Sequence, residues 1–141
     1  MNYLQVSLEG YKNMKGKGVI GVECASGYWG MSTFPTNCLV FLSDKISKDS
    51  NGVISFVKVD KLTLDNTVEI ADGLYVTDKE RTICDMIKYG CEVRFLLESI
   101  EDYCTDEDNK ELTKLKDMLT KENLWEKYLE YKEEVKDFFE Y

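Results

Sequence analysis

Four segments of the chain combine residue types able to do chemistry. The most distinctive is Glu80-Arg81-Thr82-Ile83-Cys84-Asp85. A spacing of four puts Arg81 and Asp85 on one face of a helix, where they can pair. Arg81 is one of only two arginines beside 16 lysines, so a planar, forked guanidinium is used sparingly here. Such a pair either locks its helix to a sheet through a charge network, the simpler use, or belongs to a binding surface.

The second segment is acidic. Glu98, Glu101, Asp102, Asp106, Glu107 and Asp108 follow one another with no base between Arg94 and Lys110. A run of this kind can imitate the phosphate track of DNA and occupy a basic channel, although most such runs are solvated helix faces. Its end, Asp106-Glu107-Asp108-Asn109-Lys110-Glu111, suggests a calcium loop. It lacks the glycine that bends one and sets Lys110 where an oxygen ligand is needed. A capped helix start explains it better. The fourth segment, Gly16-Lys17-Gly18-Val19-Ile20-Gly21, matches Gly-x-Gly-x-x-Gly. A dinucleotide site needs a strand before that motif. Residues 11–18 form a polar, basic stretch, and the expectation is a flexible loop.

Histidine is absent. The commonest general base is missing, and a Ser-His-Asp or Cys-His unit is impossible. The five cysteines, Cys24, Cys38, Cys84, Cys91 and Cys104, contain no Cys-x-x-Cys. They lack the paired spacing of a zinc site and read as small buried hydrophobes in a reducing compartment. The N-terminus has neither the basic start nor the long apolar stretch of a signal peptide, and no run of about 18 apolar residues would span a bilayer. The expectation is a cytoplasmic, non-enzymatic protein without cofactor or metal.

Charge narrows the partners. The net charge is −9, and residues 91–141 carry 8 basic and 16 acidic groups, against 10 and 11 in residues 1–90. Phosphates would be repelled by the acidic half, so nucleic acid is not the expected direct partner. A basic protein surface is. Self-association stays open.

These residues must be positioned by one domain, residues 1–141, with a strand-rich part (1–76) and a helical part (77–141). Tyr3–Leu8 suits a short strand or a piece of helix. Val19–Met31 suggests a short helix ended by Gly30, and Pro35 marks a turn. Cys38–Leu42 and Val53–Val59 have strand character and are expected to pair across Asp49-Ser50-Asn51-Gly52. Thr67–Ile70 and Leu74–Val76 form a hairpin about Asp72-Gly73. Thr77 opens a helix through a capping box with Glu80 and the helix stops near Gly90. A second helix buries Val93, Leu96, Leu97, Ile100, Tyr103 and Cys104. A third starts at Thr105 and buries Leu112, Leu115, Met118 and Leu119. A last one, from about Glu122 to Glu140, turns Leu124, Tyr128, Tyr131, Val135 and Phe138 inward. The expected class is α+β: a small, mostly antiparallel sheet covered by helices, with a helical C-terminal lobe.

Two blocks carry a family likeness. Tyr75–Lys88 resembles the V-x-x-x-E-R-T-x-x-D-x-x-[RK] signature of AbiEi-type antitoxins of bacterial abortive-infection (type IV toxin-antitoxin) systems. Val19–Ser32 resembles that family's small-residue helix ending in Gly-Leu-Ser. Pro35 and the strand from Cys38 follow in the family's order, and the likeness spans roughly residues 19–140. It implies a non-enzymatic antitoxin that counteracts a nucleotidyltransferase-type toxin, with Glu80, Arg81, Thr82 and Asp85 as the family-motif residues. Two departures stand out. Met31 replaces the usual leucine, and the roughly 18 residues before the first block are too few for the family's DNA-binding winged helix-turn-helix. The chain therefore looks like the antitoxin core alone. A second expectation is an inhibitor, encoded by a phage or mobile element, of a host defence system; being anti-CRISPR-like, it would bind a basic nucleic-acid-handling protein. A third, an unrecognised nucleic-acid-processing enzyme, is disfavoured by the missing histidine.

Overall fold

Leu39-Val40-Phe41-Leu42-Ser43 has too few polar side chains to leave a face in water, and it forms a strand buried at every position. The computed structural model describes residues 18–35, 38–45, 54–71, 73–105 and 112–138. The expected strand near Tyr3–Leu8 and the Asp49–Gly52 turn lie outside them. The strands are β1 (Val19–Ile20), β2 (Leu39–Ser43), β3 (Ile54–Lys58), β4 (Thr67–Ala71) and β5 (Leu74–Thr77). The helices are α1 (Val22–Tyr28), α2 (Lys79–Tyr89), α3 (Val93–Thr105), α4 (Leu112–Lys121) and α5 (Trp125–Phe138). The class is α+β.

The strands form one mixed sheet in the order β3-β2-β1-β5-β4. β1 runs antiparallel to β2 and parallel to β5, so Ile20 faces Phe41 on one side and Val76 on the other. β4 and β5 make the expected hairpin, with an irregularity between Glu69 and Ala71. β2 and β3 do pair, but in parallel rather than as strands joined by the expected turn, with Phe41 opposite Phe56. A parallel pair cannot close through a tight turn.

The expected helix from Val19 begins later. Val19 and Ile20 belong to the sheet, and α1 starts after Gly21. Two residues are too short for any periodicity to announce a strand. The glycines of the Gly-x-Gly-x-x-Gly motif within the described residues have a packing reason. A Cβ on Gly21 would lie 2.7 Å from Leu42 Cγ, closer than real atoms approach.

Helices α1 and α2 pack on each other, and α1 also packs on β2 and β5. α3 contacts α1, α2 and α5, while α4 rests on α2 and α5. One core joins both halves of the chain, from Ile20, Leu39, Phe41 and Val76 to Ile83, Ile100, Leu119 and Tyr128. α3 buries Leu96, Leu97, Ile100 and Tyr103 as its spacing requires, but Val93 at its first turn is 45% exposed. In α4, Leu115 and Leu119 are buried, while Leu112 is 45% exposed. Val93 and Leu112 both stand at the first position of their helices. Of the last helix's expected apolar face, Tyr128 is buried, and Leu124, Tyr131 and Val135 pack partly against the core. No described helix is long and apolar enough to cross a membrane.

Candidate functional site

α2 is the helix that bears Glu80, Arg81, Thr82 and Asp85. Its cap is Asp78 rather than Thr77: the Arg81 backbone N–H donates to the Asp78 carboxylate at 2.8 Å. Thr77 is held in β5 by pairing with Thr67, so its hydroxyl meets the Thr82 hydroxyl at 2.7 Å instead. Glu80 does not reach back to complete a capping box. Its carboxylate accepts from the Tyr103 hydroxyl at 2.8 Å and lies 3.1 Å from Lys114 Nζ. Lys114 also contacts Asp78 at 2.8 Å. A buried acid thus ties α2 to α3 and α4, with every charge answered. At the other end, Gly90 takes φ +89° and its N–H donates to the Met86 carbonyl, a positive-φ stop that glycine permits.

Arg81 anchors the loop before β4. Its Nε donates to Asp85 at 3.1 Å, while Nη1 donates to the carbonyls of Thr63 at 2.9 Å and Asp65 at 2.7 Å. The Arg81 and Asp85 side chains are only 13% and 11% exposed. Burial pushes the Asp85 carboxyl above its ordinary value of 3.8; Arg81 and then Lys88 oppose that rise. The sequence-level choice between a structural and an exposed pair is thus resolved toward a largely buried one. Beside it, the Cys84 thiol is pushed up to about 12, mainly by burial, and the Cys91 thiol likewise. Neither supplies thiolate near neutral pH.

The structure divides the acidic run. Glu98 turns inward, accepting from the Thr33 backbone N–H and hydroxyl, both at 2.9 Å. Arg94 Nε lies 3.8 Å from its carboxylate, and Arg94 Nη2 donates to the same Thr33 hydroxyl at 3.0 Å. Glu98 therefore staples α3 to the turn after α1, through contacts 65 residues apart that no local spacing announces. Glu101 and Asp102 are half-buried at the end of α3. Asp106, Glu107 and Asp108 lie outside the described residues.

The two blocks of family likeness meet in space. Trp29 Nε1 donates to the Thr77 carbonyl at 2.7 Å, and β1 pairs with β5 through Ile20 and Val76. Among the described residues, no group of three or more Cys, Asp or Glu side chains is arranged to hold a metal ion. No family model matches the chain, and no curated protein is significantly similar to it.

Proposed function

We propose that this chain is a non-enzymatic, antitoxin-like binding protein of the cytoplasm that counteracts a nucleotidyltransferase-type toxin. The observation that carries this reading is the joining of its two motif blocks. Trp29 of the first and Thr77 of the second, 48 positions apart, share a hydrogen bond, and both blocks feed one core. A likeness scattered by chance along a sequence has no reason to converge on one packed unit. The absence of histidine, the high pKa of Cys84 and Cys91 and the mutual commitment of Arg81 and Asp85 support a role in binding. Co-expression with a nucleotidyltransferase-type toxin tests it: growth should be restored, and restoration should be lost in a variant that is folded but altered in the interacting surface. Unrelieved toxicity across a panel of such toxins, with the protein folded and abundant, counts against it.

A second reading is favoured by the acid excess of α5. Glu126, Glu130, Glu133, Glu134 and Asp137 are all exposed there, beside three exposed lysines. An inhibitor that occupies a basic, nucleic-acid-handling channel of a host defence protein would use such a surface. Capture of a defence effector from a defence-competent bacterial lysate would favour it over the antitoxin reading.

A further inference from the structure

One cleft concentrates positive charge in this acidic protein. It lies between the loop before β4, the outer face of α2 and the end of α4, and Lys61, Arg81, Lys88 and Lys121 all line it. Its acids are largely committed. Asp85 holds Arg81 Nε, and Glu122 pairs with Lys88 at 3.0 Å; the third, Asp65, offers Arg81 its backbone carbonyl and keeps its exposed carboxylate at the rim, against four cations. The cations are not all committed. Arg81 spends Nε and Nη1 on the protein, and among the described residues Nη2 has no hydrogen-bond partner. Lys61 and Lys121 are exposed and, among the described residues, have no ion pair. Tyr89 and Met118, both half-buried, add an aromatic and an apolar wall.

We propose that this cleft binds a small phosphate monoester. Arg81 Nη2, Lys61 and Lys121 would hold the phosphoryl group, and Tyr89 and Met118 would lie against the organic part. The chemistry follows from the inventory. One guanidinium donor already oriented by Asp85 and two mobile ammonium groups supply the charge that a dianion needs. A monocarboxylate would leave that charge partly unused. The cleft volume, about 250 Å³, is near the lower end of small-molecule sites, so the ligand is of mononucleotide or sugar-phosphate size at most. The assignment does not rest on the identity of the protein partner.

The test is titration of the intact protein with inorganic phosphate, then adenosine monophosphate, then acetate, followed by amide chemical shifts and calorimetry. Shifts should gather at Lys61–Asn66, Arg81–Tyr89 and Met118–Glu122, with the monophosphate tighter than inorganic phosphate and acetate weakest. The double variant Lys61→Ala, Lys121→Ala changes only exposed side chains. It should bind the monophosphate about ten-fold more weakly or worse, since each charged hydrogen bond lost is worth roughly that factor. Lys127→Ala, Lys132→Ala on α5 removes the same charge elsewhere and should leave affinity unchanged. Arg81→Lys keeps the charge but loses the fork, and should weaken binding while the protein stays folded by circular dichroism. No localised shifts at tens of millimolar phosphate would overturn the assignment. So would equal affinity in the Lys61, Lys121 variant, equal loss in the Lys127, Lys132 control, or acetate binding as tightly as the monophosphate.

Discussion

Trp29 donates its indole N–H to the backbone carbonyl of Thr77 at 2.7 Å, joining the turn after α1 to the last residue of β5. The Thr82 hydroxyl reaches the same carbonyl at 3.3 Å, so losing the indole does not orphan it. Trp29→Phe keeps most of the ring and removes the donor. It is expected to cost about 1 kcal/mol, measured as a lower urea midpoint at unchanged slope. An unchanged midpoint would show that water replaces the indole freely.

Arg81→Ala and Asp85→Ala should each destabilise by roughly 3–5 kcal/mol, because each strands the other charge in a largely buried site. The double variant should cost less than the two losses added together. Simple additivity in thermal or urea unfolding would mean that the two side chains act separately, with Arg81 serving mainly the Thr63 and Asp65 carbonyls.

Glu98 and its neighbours should separate by assay. Glu98→Ala removes the acceptor for Thr33, an exposed residue whose groups water can satisfy, and should cost about 1 kcal/mol of stability. Glu101 and Asp102 are half-buried with no ion pair among the described residues, so charge reversal there and at Glu107 should leave the fold intact at a cost of roughly 1 kcal/mol each. It should slow association with a basic partner, and raising the salt should shrink the difference. A triple variant as active as the parent at low salt would move the interacting surface elsewhere, first to the acids of α5.

Glu23, at the first turn of α1, has its carboxyl pushed above the ordinary 4.5 by burial and, secondarily, by Glu92; a hydrogen bond to backbone opposes the shift. Between the unfolded value and this raised one, the folded state holds more protons. Stability from this group is therefore present at low pH and lost as pH rises through that window. Glu23→Gln should raise the melting temperature at pH 7, and the gain should vanish well below pH 4.5, where the acid is neutral in both states. A gain that persists in acid would assign the effect to packing.

Cys84 and Cys91, with thiols pushed up to about 12, should resist iodoacetamide near neutral pH. Peptide mass spectrometry of the native protein should find both unmodified and should find them labelled after unfolding. Rapid native labelling of Cys84 would show that α2 opens locally.

Much of the fold was legible because it is written in long periodic stretches. The apolar spacing of α3 and the glycine after α2 announce themselves locally, and β2 is a plain apolar run. What escaped depends on partners distant in sequence. Thr77 and Asp78 are both good N-caps, and only the pairing of Thr77 with Thr67 assigns the cap to Asp78. By spacing alone Glu98 is one acid among six; its contact with Thr33 sets it apart. The lysine-lined cleft escaped for the same reason, because Lys61 and Lys121 come from segments sixty positions apart.

The place of β1 in the sheet bears on when this chain can fold. β1 is two residues long and sits between β2 and β5, so one of its edges is filled only when Val76 arrives opposite Ile20. A nascent chain that has not yet exposed residues 74–77 holds β2 and β1 with an open seam in the middle of the sheet. α1, made before β2, can already pack on it, but α2, which packs on α1, is made later still. Closing that seam requires a long loop to be drawn together before the contacts reward it. Until synthesis passes β5, the β1 edge stays unfilled, and that interval is where the chain should be most prone to aggregate.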